Sequence, residues 1–207
     1  MMVRQRWNAL WRRLEVPLPG AAVFDELLMA YRQPYRTYHT LDHIRDCLAQ
    51  FDLVRHLARC PDEVELALWC HDVIYDPHAA DNEAQSAAWT ARILRQATVA
   101  DDVVARVTAL ILATQHHTLP DDPDAALVVD IDLSILGQSV VEFDRYEAAI
   151  RQEYHWVPET AYREARLRVL ESFLTRPSIY QTATFRERYE ALAQVNLARS
   201  IRHLRKI

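Results

Sequence analysis

Glycine is almost missing from this chain of 207 residues: Gly20 and Gly137 are the only two. Tight hairpins need residues that tolerate positive φ, and glycine is the usual supplier, so a sheet built from many hairpins is excluded. Lysine is rarer still. Lys206 is the only one, and arginine carries the rest of the positive charge. The net charge is −5 and the isoelectric point is near 6.0. That is the wrong sign for coating a nucleic-acid polymer or an anionic membrane surface. The three cysteines, Cys47, Cys60 and Cys70, lack any C-x-x-C spacing. An odd number of thiols in such a chain predicts reduced cysteines and a cytoplasmic location. No apolar run reaches the roughly 18–20 residues that a membrane span needs, and the polar, Arg-rich N-terminus lacks the apolar stretch of a secretory signal.

What the chain has in quantity is alanine, leucine and arginine, all good helix formers. The fold class predicted is all-α, a single helical domain over 1–207 with about nine or ten helices. Val3, Trp7, Leu10, Trp11 and Leu14 form a helical stripe over 3–14. Trp7 and Trp11 on that stripe fit either a core or a homodimer contact. A second helix over about 21–33 must stop at Pro34, because proline pushes the residue before it out of the helical region. A third starts near His39–Thr40 and runs to about 58. A fourth opens at Pro61 with acids in its first turn and ends near Asp76-Pro77. Further helices are expected over about 80–97, 101–114, 139–153, 158–174 and 183–205, with one or two short ones in the apolar segment ALVVDIDLSILG.

Three places put polar side chains where apolar ones belong. In LALWCHDVIY, His71 and Asp72 interrupt a run of eight apolar or aromatic residues. An unpaired buried carboxylate is costly, so it needs a partner: a hydrogen-bonded histidine in a structural role, or a metal. In TYHTLDHI, His39 and His43 stand four apart. On a helix they share one face and can aim at one ion, or they cap a helix start. In VVDIDL, Asp130 and Asp132 again break an apolar run. Such carboxylates serve a metal, an arginine or a helix cap. Two imidazoles with two carboxylates make a mixed nitrogen and oxygen set that suits Mn, Mg, Fe, Zn, Co or Ni as the divalent ion.

Taken together, YHTLDHI, LWCHDVIYD, DNEAQSA, ILATQHH and DIDLSILG resemble the HD superfamily of metal-dependent phosphohydrolases, in particular its small bacterial members. The resemblance covers about 31–180. It implies an HD-type helical bundle with the metal-site core over about 31–137 and the C-terminal helices 139–207 packing on it. It also implies His43, His71, Asp72 and Asp132 as metal ligands, with Asp130 the rival for the last place. The first segment is similar as well to the histidine motif of cyclic-nucleotide phosphodiesterases. That likeness implies His39 as the proton donor to the leaving group, working beside Asp72, although Thr40 stands where those enzymes have asparagine. Glu83, His116, His117 and Asp130 are candidates for a second metal or the substrate; the histidine pair also suits a helix C-terminus. Arg36, Arg151 and Arg166 lie beside aromatic or apolar residues and are candidates for phosphate, which the planar guanidinium fits.

The chemistry this implies is hydrolysis of a phosphate mono- or diester of a nucleotide or similar small molecule. One or two divalent ions would acidify water from a pKa of 15.7 towards about 7, and His39 would add general-acid help worth roughly 10²–10⁴-fold. The expected partner is a small phosphorylated substrate, with no nucleic-acid polymer and no membrane. Two other classes fit the same pattern: an HD-type diiron oxygenase, and a non-catalytic module that binds a nucleotide without turnover.

Overall fold

The computed structural model describes residues 2–15, 21–115 and 121–206. Every regular element among them is helical, as the scarcity of glycine and the wealth of helix formers predict. In chain order the α-helices are α1 (Met2–Arg13), α2 (Ala21–Ala30), α3 (Leu41–Val54), α4 (Pro61–Cys70), α5 (Asn82–Gln96), α6 (Asp101–Leu112), α7 (Pro123–Asp132), α8 (Val140–Glu153), α9 (Glu159–Leu174) and α10 (Ala183–Lys206). Two short 3-10 helices, Arg55–Leu57 and Leu133–Gly137, follow α3 and α7. No helix among the described residues is long and apolar enough to cross a membrane. The chain divides into two compact units, Met1–Val129 and Asp130–Ile207.

In the first unit α4 is the central helix. Proline at its first position and Asp62 and Glu63 in its first turn favour the start. From Glu63 to Cys70 every residue is buried, on all sides of the helix. A helix covered all round is an interior one, and α1, α3, α5 and α6 all pack on it. Trp7 and Trp11 of α1 belong to this core. The Trp7 ring lies 5.6 Å from those of Trp11 and Trp69 and 5.9 Å from Phe24. The one charge buried deep in α4, Glu65, is only 2% exposed. It accepts from Arg6 at 2.9 Å, from Arg13 at 2.6 Å and from Arg55. At the entry to α4, the Asp124 carboxylate accepts the backbone N–H groups of Arg59 and Cys60 at 2.7 and 2.8 Å.

The second unit is organised by α10, against which α9 and the Leu133–Gly137 turn pack. Gly137 is required by closeness. A β-carbon there would sit 2.5 Å from Tyr189 Cβ and 2.7 Å from the Tyr189 carbonyl oxygen. The Asn196 side chain donates to the carbonyls of Leu136 and Gln138, both at 2.9 Å, and so ties the turn to α10. Ser139 and Glu142 form a capping box at the start of α8. Glu190 on α10 accepts from the N–H groups of Ile179 and Tyr180 and from the Ser178 hydroxyl, holding the segment before α10.

Candidate metal centre

Two helix ends in the first unit build the site, and the second differs from the expected one. α3 begins at Leu41, with Thr40 as its N-cap; the Thr40 hydroxyl accepts from the Asp42 N–H at 3.3 Å. His39 therefore precedes the helix, in a turn closed by the Thr40 N–H donating to the Tyr38 carbonyl at 2.7 Å. His39 and His43 still approach, with ring centroids 6.1 Å apart. It is the turn that brings them together, not a shared helix face. At the other end, α4 stops at Cys70, short of the expected Asp76. His71 is its C-cap and Asp72 lies in the turn beyond. Backbone carbonyls left open at such a terminus need donors. Here Tyr31 donates to Trp69 O at 2.8 Å, and Arg36 donates to Asp72 O at 2.6 Å and to Val73 O at 3.0 Å. With those carbonyls satisfied from elsewhere, the chain is free to leave the helix.

The result is a tight triangle. His43 Nε2 and His71 Nε2 lie 3.2 Å apart. Asp72 Oδ2 is 3.1 Å from His71 Nε2 and 3.5 Å from His43 Nε2. Ligand atoms about 2.1 Å from one ion stand about 3.0 Å apart at right angles and about 3.4 Å apart at tetrahedral angles. The triangle has those dimensions. His71, 1% exposed, has Nδ1 3.1 Å from the Leu68 carbonyl. A proton on Nδ1 donates there and leaves the Nε2 lone pair facing the triangle, the usual arrangement for a metal-binding imidazole. Burial acts to raise the Asp72 carboxyl, but the imidazoles of His71, His39 and His43 outweigh it and hold the group well below the usual carboxylate range.

Cys47 adds sulfur to this set. It follows His43 by one helical turn on the buried face of α3, and His43, Cys47 and His71 each offer a ligand atom within 4.8 Å of the others. All three are buried, and together they could hold a metal ion. The Cys47 sulfur is 3.8 Å from Nδ1 and 3.7 Å from Nε2 of His43. Near-equal distances to both nitrogens put the sulfur over the ring, out of line with the Nε2 lone pair. Sequence reasoning took Cys47 only as a reduced thiol; the His43-x-x-x-Cys47 spacing was the signal available. It also passed over Tyr75, whose ring stacks on that of His39 at 4.1 Å and 27°.

The other candidates fall in several places. Glu83 lies half-buried in the first turn of α5. His116 and His117 lie outside the described residues. Asp132 is the last residue of α7 and is half-buried. Asp130 is fully buried and its two oxygens accept three hydrogen bonds, from the N–H groups of Gln181 and Thr182 and from the Thr182 hydroxyl. Burial raises the Asp130 carboxyl, against the pull of those donors. Arg36 is buried and directs its donors to Gln33 Oε1 and to the carbonyls of His39, Asp72 and Val73. Arg151 donates to Glu159 and to the carbonyls of Tyr154 and Val157, and Arg166 pairs with Glu147. All three guanidinium groups are thus engaged by protein acceptors. No family model, curated protein or solved structure matches the chain.

Proposed function

We propose that this chain is a metal-dependent phosphohydrolase acting on a phosphate mono- or diester of a nucleotide or similar small molecule. The observation that carries the reading is the triangle of His43 Nε2, His71 Nε2 and Asp72 Oδ2, with sides of 3.2, 3.1 and 3.5 Å. A divalent ion bound there supplies a Lewis acid for a phosphoryl oxygen and lowers the pKa of water towards about 7. The residues do the rest. His43 and His71 offer neutral nitrogen donors, and Asp72 brings the negative charge that offsets the ion's. Asp132 is proposed as the fourth ligand on the sequence resemblance. It is preferred to Asp130, whose carboxylate already serves Gln181 and Thr182. His39 is proposed as the proton donor to the leaving oxygen: it is half-exposed, and its ring stacks on Tyr75 beside His43.

The test is elemental analysis of the purified protein, followed by a phosphate-ester screen with Mn²⁺, Mg²⁺, Co²⁺ or Fe²⁺ supplied. About one or two ions per chain and metal-dependent release of phosphate or of a phosphomonoester are expected. Absence of both metal binding and turnover with all of these ions overturns the reading. Two irons with oxygen uptake replaces it with an oxygenase. Nucleotide binding without turnover replaces it with a binding module.

A further inference from the structure

We infer that Arg36 is a positioning residue that sets the ligand Asp72 and the proton donor His39 together, and is not a phosphate contact. For its two targets this rests on the function proposed above. Arg36 belongs to neither helix end of the site, yet one buried guanidinium joins both. Its Nη1 group donates to the His39 carbonyl at 3.1 Å and to the Asp72 carbonyl at 2.6 Å; its Nη2 group donates to Val73 O at 3.0 Å. Nε donates to Gln33 Oε1 at 3.0 Å, which holds the fork on its own turn.

Aromatic rings fix the same group from the sides. The guanidinium carbon stands 5.3 Å from the Tyr31 ring centre and 5.4 Å from that of Tyr75. Tyr75 in turn stacks on the His39 imidazole, and Tyr35 donates to the Tyr75 carbonyl at 3.1 Å. Tyr31 donates to Trp69 O two residues before His71. Arg36 therefore ties the main chain at residues 39, 72 and 73 and, through Tyr75, the His39 ring. A guanidinium can do this because its donors diverge in one rigid plane; an ammonium on a flexible stem cannot span the same three carbonyls. Outer partners that orient ligands in this way are worth roughly 10–100-fold in metal affinity.

The experiment compares Arg36→Lys and Arg36→Ala with the wild type, using calorimetric titration of metal-free protein with Mn²⁺ and proton NMR of the His39 ring. Both variants are expected to lose about 10–100-fold in Mn²⁺ affinity, with Arg36→Lys keeping the metal-free melting temperature closer to wild type. In an Asp72→Asn background, whose amide oxygen leaves a weak Mn²⁺ donor, the further loss from Arg36→Lys should shrink to under about threefold, because the carboxylate that Arg36 positions is already gone. The His39 ring protons should lose the ring-current shift that Tyr75 imposes. Undiminished Mn²⁺ affinity in Arg36→Lys overturns the proposal, and so does an equal loss in the Asp72→Asn background. Unchanged affinity with a raised KM for a phosphate ester overturns it in favour of a phosphate contact. Should the wild type bind no metal, the proposed function fails, and the NMR result still decides for Arg36: unmoved His39 resonances refute its positioning role.

Discussion

At the residue scale, the unit of the proposed metal site is a lone pair aimed at a point. Removing one of the three apices should cost more than the roughly 10–100-fold that follows loss of an outer partner. His71→Ala and Asp72→Ala are therefore expected to abolish Mn²⁺ binding in calorimetry while far-ultraviolet circular dichroism stays helical. Helicity survives because α4 ends at Cys70, before either residue. A variant that kept its metal would remove the triangle as the binding site. Cys47 gives a different expectation. Its sulfur lies over the His43 ring and not on the axis of Nε2. Cobalt(II) bound at the triangle should show no sulfur-to-cobalt charge-transfer band in the near ultraviolet, and Cys47→Ala should leave the cobalt spectrum as it was. A strong band in the wild type that Cys47→Ala removes would make the sulfur a ligand.

At the scale of elements, helix identity and most helix ends were legible in the sequence, and the end of α4 was not. The apolar stripe of α1 and the Pro61 start of α4 follow from local rules. The stop of α4 does not, because Tyr31, which donates to Trp69 O, and Arg36, which holds the carbonyls of Asp72 and Val73 in the turn beyond, lie more than thirty positions earlier in the chain. Asp130 is a similar case: an acid in an apolar run leaves a metal, an arginine and a helix cap open as partners, and the N–H groups of Gln181 and Thr182 that it accepts lie about fifty positions further on. His39 and His43 were paired through helix spacing, while the structure pairs them through a turn, so the site residues were found for a partly different reason.

Element contacts also carry stability that can be measured. Glu65 binds α1 and α3's flank to α4 through Arg6, Arg13 and Arg55. Glu65→Ala removes that buried acceptor, while Arg6 keeps Asp52 and Arg13 and Arg55 keep Asp62, and the loss expected in urea unfolding is about 1–3 kcal/mol. In the second unit, Glu190 has its carboxyl held below the usual value: burial raises it, and the hydrogen bonds from Ile179, Tyr180, Ser178 and Gln194 outweigh that. A depressed carboxyl contributes stability that is present above the unfolded pKa of about 4.3 and lost as pH falls through the folded one. Wild-type stability should therefore fall more steeply below about pH 4.3 than that of Glu190→Gln, which has no such group to protonate. Parallel acid profiles for the two proteins would refute that account.

At the scale of the whole molecule, the proposed metal binding would be linked to folding. His43 and His71 stand 28 positions apart in sequence, so an unfolded chain has no reason to hold their nitrogens 3.2 Å apart. An ion at the proposed site would bind the folded state almost alone, and free metal at 100 times its dissociation constant should add about 2.7 kcal/mol to stability. Treatment with a chelator should lower the melting temperature, and Mn²⁺ should restore it in a concentration-dependent way. The same titration on His71→Ala should be flat, since the ligand set is broken, whereas on Glu190→Gln it should keep its full amplitude from a lower start. That pairing separates a site effect from a general loss of stability. A metal-dependent rise that persisted in His71→Ala would place the stabilising ion somewhere other than the triangle.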